Sequence, residues 1–207
     1  MIELGDEAAR ILGALMEKER TVPDTYPMTL KGLTSACNQS SSRWPVVSYD
    51  EGLVQRTLDD LKVAGLVRFV HPSHGERSTK FRQVLDERLV LERDEAAIVC
   101  VLLLRGAQTS GELRTRTERQ HPFSDAEEVE SVLRRLGARD EPLVRLLERR
   151  PGEREARWAH LLSGEPDVSA PEAASPRLSA NGALEARVAE LEAKVARLYD
   201  LLGEDGS

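Results

Sequence analysis

The sequence predicts a mainly helical fold with small β-hairpins, arranged as two tandem winged helix-turn-helix domains followed by a C-terminal coiled-coil helix. Three observations predict it. The chain repeats itself at domain scale, each copy reads as three helices followed by a strand pair, and a heptad seam follows a linker-like stretch.

The repeat opens on four letters, DEAA, in DEAARILGALMEK at 6–18 and again in DEAAIVCVLLLRG at 94–106. Apolar positions downstream stay in step. Ile11, Leu12, Leu15 and Met16 fall on Val99, Cys100, Leu103 and Leu104 at a constant shift of 88. Thr29 and Leu33 fall on Thr109 and Leu113 at a shift of 80, so the first copy carries eight extra residues in between. Asp50, Val54, Leu58 and Leu61 then fall on Asp125, Val129, Leu133 and Leu136 at a shift of 75. A repeat unit of roughly 80 residues is domain-sized, which points to two related domains and away from a solenoid. The expected boundaries are 1–83 and 84–162.

In the first copy, Ala9, Leu12, Leu15 and Met16 place apolar groups on one helical face, and Pro23 with Asp24 ends that helix. A second helix is expected from Pro27 to Cys37, with the proline early, where a missing N–H costs least. SSRWP at 41–45 is loop chemistry. Ser48 or Asp50 can cap a third helix, which Gly65 stops by tolerating positive φ. LVRFV at 66–70 and STKFRQV at 78–84 then make a hairpin around HPSHGE. In the second copy LVRLLERR at 143–150 and REARWAHLL at 154–162 repeat the design.

From 163 to 182 the chain turns to Ser, Pro, Ala and Gly with few large apolar groups, the composition of a flexible linker. Beyond it, over 183–203, Leu184, Val188, Leu191, Val195, Leu198 and Leu202 recur at alternating spacings of four and three. With Val at a and Leu at d this seam favours two parallel strands, and Arg187 at g would face Glu192 at e of a second copy. A homodimer through this tail is expected; the alternative is an amphipathic helix folded back on its own globular part.

Composition limits the function classes. The 207 residues carry 4% aromatics, 31% charged residues and a net charge of −7. Residues 1–83 hold 11 basic and 11 acidic groups and residues 84–162 hold 14 and 16, so most of the net acidity belongs to the tail. Neither copy has the strongly basic balance that usually announces a nucleic-acid binder. No apolar run approaches the roughly 18 residues that span a bilayer, and Glu3, Asp6 and Glu7 do not suit a secretory signal. A cytoplasmic location is the expectation. Cys37 and Cys100 sit in apolar helical patterns and read as buried thiols.

The segments YPMTLKGLTSACNQSSSRWPVVSYDEGLVQRTLDDLKVAGLV (26–67), LLLRGAQTSGELRTRTERQHPF (102–123) and PGEREARWAHLL (151–162) closely resemble the YceH family of bacterial proteins of unassigned function. The resemblance covers about residues 5–164. It implies tandem winged-helix domains, often followed by a coiled-coil tail, and carries no catalytic or ligand residue with it.

A third helix in this architecture occupies the place of a DNA-recognition helix. In the first copy Gln55 and Arg56 could read adenine and guanine edges, but Asp50, Glu51, Asp59 and Asp60 would stand near repelling phosphates. The second copy is more acidic still, with Asp125, Glu127, Glu128 and Glu130. Because phosphate neutralisation supplies most of the affinity in such complexes, the acidic leading turns argue against ordinary groove insertion and leave a contact led by a wing or by the second helix open. The candidates are Arg114, Arg116 and Arg119 in the second helix of the second copy, Arg149, Arg150 and Arg154 at its wing, and Arg77, Lys80 and Arg82 at the first wing.

Other chemistry is weakly represented. His71 and His74 form an HxxH on a turn with no Cys or carboxylate cluster to complete a metal site. Cys37 has no local base, and a helix C-terminus disfavours its thiolate. No phosphate-cradling glycine loop and no GxSxG elbow are present. The expected protein is non-enzymatic, binds no cofactor or metal, and is a DNA-binding or transcription-regulatory factor. The alternative is a protein-binding adaptor that makes no direct DNA contact.

Overall fold

The computed structural model describes residues 2–71, 78–149 and 152–166. The expected coiled-coil helix at 183–203, with its seam residues Leu184 to Leu202, lies outside the described residues. So do the linker beyond 166, Arg77, Arg150 and His74.

The first half runs α1 (Asp6–Thr21), a 3-10 turn (Pro23–Thr25), β1 (Met28–Thr29), α2 (Leu30–Cys37), α3 (Glu51–Val63), β2 (Val67–Val70) and β3 (Lys80–Gln83). A short helix, α4 (Leu85–Leu89), leads to the second half: α5 (Arg93–Arg105), α6 (Ser110–Thr117), α7 (Ala126–Gly137), β4 (Val144–Leu146) and β5 (Trp158–His160). The protein is mainly helical with two small antiparallel sheets.

Capping residues set the helix starts. The Thr29 hydroxyl accepts from Gly32 N at 3.2 Å and begins α2. Asp50 Oδ1 accepts from Leu53 N at 2.7 Å and begins α3, and Asp125 Oδ1 accepts from Glu128 N at 2.9 Å and begins α7. Each satisfies an orphan N–H and places its oxygen against the helix dipole. Gly65, at φ +69°, ends α3. Its N–H bonds Lys62 O at 3.0 Å while Leu66 N bonds Leu61 O at 2.9 Å, the paired closure that a left-handed residue permits.

The structure corrects the expected second helix. Pro27 lies before α2, because Met28 and Thr29 are extended and pair with Phe81 and Lys80 of β3. The first sheet therefore has three strands in the order β1-β3-β2. The second half copies this with a single bridge: Gln108 and Trp158 exchange backbone hydrogen bonds at 2.9 and 2.7 Å, and Gln108 is the residue 80 positions after Met28. The second hairpin is shorter than its sequence suggested, with three residues per strand.

The two halves join through their first helices. Residues 9–16 of α1 and residues 95–104 of α5 are all buried, and a helix covered on every side belongs at the centre of a core. Gly13 lets α1 and α5 approach closely: a Cβ there would sit 2.9 Å from Leu104 Cγ and Cδ2. The Cys100 thiol donates to Gly13 O at 3.4 Å across the same contact. One aliphatic cluster runs from Ile11 and Leu58 to Leu102, Leu133 and Leu136, each such side chain contributing about 1.5 to 3 kcal/mol by leaving water.

The eight extra residues of the first half lie between α1 and α2, where they form the 3-10 turn and the approach to β1. The α2–α3 loop is longer by a further five, the change in shift from 80 to 75, and buried arginines fix it. Arg10 donates to Cys37 O at 3.2 Å and Pro45 O at 2.6 Å. Arg43 donates from Nε to Ala36 O at 3.0 Å and pairs with Glu17 at 2.6 Å. Trp44 N then donates to Leu104 O at 2.8 Å, which seats the loop on the end of α5.

Candidate nucleic-acid interface

Several of the acidic residues of the third helices have local work. Asp50 and Asp125 are caps, Glu128 accepts from Ser124 N at 2.7 Å, and Glu130 accepts from the Ser110 hydroxyl and from Trp158 Nε1 at 3.3 Å. Val54, Leu58 and Leu61 are buried in α3, leaving Arg56 exposed and Gln55 half-buried. The Gln55 amide donates to Asp59 Oδ1 at 3.1 Å, so its donor faces a carboxylate on its own helix.

The candidate cations divide by partner. In the first half Glu87 takes both Arg82 at 2.5 Å and Arg68 at 3.3 Å. Lys80 is half-buried in β3 opposite Val70. In the second half Arg114 and Arg119 are exposed on and just beyond α6. Arg116 reaches Glu112 at 3.5 Å, a carboxylate already held by Arg157 at 2.7 Å. Arg149 and Arg154 are exposed on the segment between β4 and β5. The structure thus brings Arg114, Arg116 and Arg119 together on one helix and its end, and leaves Gln55 and Arg56 on a separate one.

Several charged groups escaped the sequence reading. Arg105, the last residue of α5, is half-buried. Its pKa is lowered by burial and then by the charges of Arg116 and Arg43, which Glu17 and Glu112 oppose more weakly. Burial alone would raise the Glu17 carboxyl, yet the hydrogen bonds and charge of Arg43 win and hold it below its usual value. Glu95, 2% exposed, accepts from Arg135 Nε at 2.9 Å and from Arg139 at 2.6 Å. The only sequence signals for these were an arginine preceding a glycine and an acid inside an apolar run.

Chemistry beyond binding is poorly supplied. Cys37 and Cys100 are buried as expected, and burial pushes both thiols up to about 12. Among the described residues no group of three His, Cys, Asp or Glu is placed to hold a metal ion. Likewise none of their helices is long and apolar enough to cross a membrane. An open groove of about 730 Å³ lies between the start of α6, the outer face of α7 and the second hairpin, lined by Ser110, Ala126, Glu127, Glu130, Leu146 and Glu155 among others.

These features define a class: a mainly helical protein with two small sheets, protonated buried thiols and an uneven distribution of free arginine. The chain belongs to the family described as "Protein of unknown function, DUF480", which matches residues 4–153. It is 48% identical over 200 residues to a UPF0502 protein of Geobacter sulfurreducens, covering 95% of this chain and 90% of that one. It is 48% identical over 201 residues to a UPF0502 protein of Pelobacter propionicus, with the same coverage. A UPF0502 protein of Shewanella halifaxensis is 45% identical over 213 residues, covering 96% of each chain. The resemblance to the uncharacterised YceH-like family agrees with this assignment, and the relatives' names carry no activity.

Proposed function

We propose that this protein is a non-enzymatic, cytoplasmic, DNA-associated regulatory factor whose halves, 1–83 and 84–162, are winged helix-turn-helix domains. The observation that carries the reading is the exposed arginine on α6 and its end. Arg114 and Arg119 have no ion-pair partner among the described residues, whereas Asp50, Asp125 and Glu130 of the third-helix segments serve as caps and internal acceptors. The repeated order of three helices and a hairpin supports the domain reading. The heptad at 184–202 supports a homodimer, which doubles the number of domains presented.

Titration of the full-length protein against random duplex DNA at increasing salt tests this. Binding at low ionic strength that weakens steeply as salt rises is expected, and Arg114→Glu with Arg119→Glu should abolish most of it. Absence of binding even at low salt defeats the reading. The adaptor alternative draws on the groove between α7 and the second hairpin, where Glu127, Glu130 and Glu155 surround Leu146, itself 50% exposed. That combination suits a basic peptide with an apolar residue, and such binding would survive nuclease treatment.

A further inference from the structure

We propose that the corner where α5 passes into α6, together with the α2–α3 loop seated on it, is a contact site for the phosphodiester backbone of a nucleic acid. The proposal rests on the DNA-associated reading above and deepens it, by moving the phosphate contact away from the third helices.

The corner holds more guanidinium than it can neutralise. Arg116 and Arg157 share the carboxylate of Glu112, at 3.5 and 2.7 Å, and Arg157 also reaches Glu153 at 3.4 Å. Arg105, close enough to Arg116 for the two charges to repel, has no hydrogen bond or ion pair from its guanidinium among the described residues. Behind it Arg43 is buried and committed to Glu17. Three guanidiniums against the two carboxylates of Glu112 and Glu153 leave one positive charge in excess where α5 ends.

The helix end does not absorb this excess. The α5 C-terminus would ordinarily welcome a cation through its free carbonyls, but donors already occupy three of the last four. Leu102 O accepts from Gly106 N at 2.9 Å, Leu104 O from Trp44 N at 2.8 Å, and Arg105 O from the Gln108 amide at 3.2 Å. The planar donor fork of Arg105 is left half-buried with no acceptor among the described residues. A half-desolvated arginine without a partner is unfavourable, and a phosphate diester matches its geometry with two parallel hydrogen bonds. Burial and the neighbouring Arg116 and Arg43 charges depress its pKa, the sign expected of a cation held against its like. The loop adds hydroxyl donors, since Ser40, Ser41 and Ser42 are exposed on its outer side.

The test is anisotropy titration of the full-length protein with a labelled mixed-sequence DNA duplex and with an RNA duplex of the same sequence, over a range of salt. Arg105→Gln removes no internal partner; it should weaken binding about tenfold and reduce the salt slope by about one, the value for one lost phosphate contact. Arg105→Lys keeps the charge and should retain most of the affinity. Arg56→Gln on α3 should stay within about twofold of the parent. Comparison of DNA with RNA identifies which backbone the corner accepts, and melting curves confirm that the variants are folded. If the parent binds either duplex but Arg105→Gln binds equally well while Arg56→Gln loses affinity, the corner proposal is overturned and the DNA-associated reading stands. If the parent binds neither duplex at low salt, both fall.

Discussion

Arg43 lies 26 residues after Glu17 and holds its carboxylate at 2.6 and 3.2 Å, with none of the Arg43 side chain exposed. The pair joins α1 to the α2–α3 loop, which is five residues longer than its counterpart in the second half. Removing one partner strands the other, which costs about 3 to 5 kcal/mol for a buried ion pair. Arg43→Met should show a loss of that order in urea denaturation. Glu17→Gln should cost less, since its amide oxygen can still accept. Because the folded Glu17 pKa lies below its usual 4.5, the stability it contributes is present above that value and is lost as pH falls through the folded pKa.

His160 gives the opposite chemistry and the same direction with pH. Burial pushes this imidazole down to about 4 from 6.5, and Nδ1 finds no hydrogen-bond partner. Between pH 6.5 and about 4 the unfolded chain takes up a proton that the native ring refuses, so stability falls as pH drops through that window and levels off below it. His160→Phe should remove this component. The difference between parent and variant stability should shrink or reverse by about 3 kcal/mol from pH 7 to pH 4.

The contact of α1 with α5 predicts a steric effect at Gly13. An added methyl would meet Leu104 Cγ and Cδ2 at 2.9 Å and Leu103 Cβ at 3.2 Å, too close for either helix to accept without shifting. Gly13→Ala should destabilise by about 1 to 3 kcal/mol, as overpacking does. Leu104→Ala opens the space the methyl needs, so the double variant should lose less than the sum of the single changes in the same denaturation assay.

Much of this fold was readable because repeated positions fill repeated roles. Leu12, Leu58, Leu133 and Leu136 are apolar at helical spacing and are buried; Asp50 and Asp125 stand at helix starts and cap them. What escaped depends on contacts distant in sequence. Leu85 to Leu89 form α4, too short a helix to generate a periodic signal. Arg43 looked like loop chemistry because its partner lies on α1. The candidate contacts were legible as charges only. Whether Arg82 is neutralised by Glu87 or Arg105 is left without a partner among the described residues depends on tertiary approach, which no local spacing encodes.

Glu95 shows where the two halves part company, and it carries the last prediction. Its counterpart 88 positions earlier, Glu7, has no matching arginines: the residues 75 positions before Arg135 and Arg139 are Asp60 and Ala64. In the second half Glu95 accepts from both arginines and from Glu92 N at 3.1 Å, while Arg139 also donates to Leu89 O at 2.7 Å and Val90 O at 3.1 Å. This one carboxylate ties α7 to the start of α5 and to the link between halves. Glu95→Ala should therefore cost about 3 to 5 kcal/mol, since it leaves two guanidiniums facing a buried void. Arg135→Ala, which removes a half-exposed partner, should cost about 1 kcal/mol. If hydrogen exchange of α7 in Glu95→Ala accelerates no more than that of α3, the carboxylate does not hold the second half together in this way.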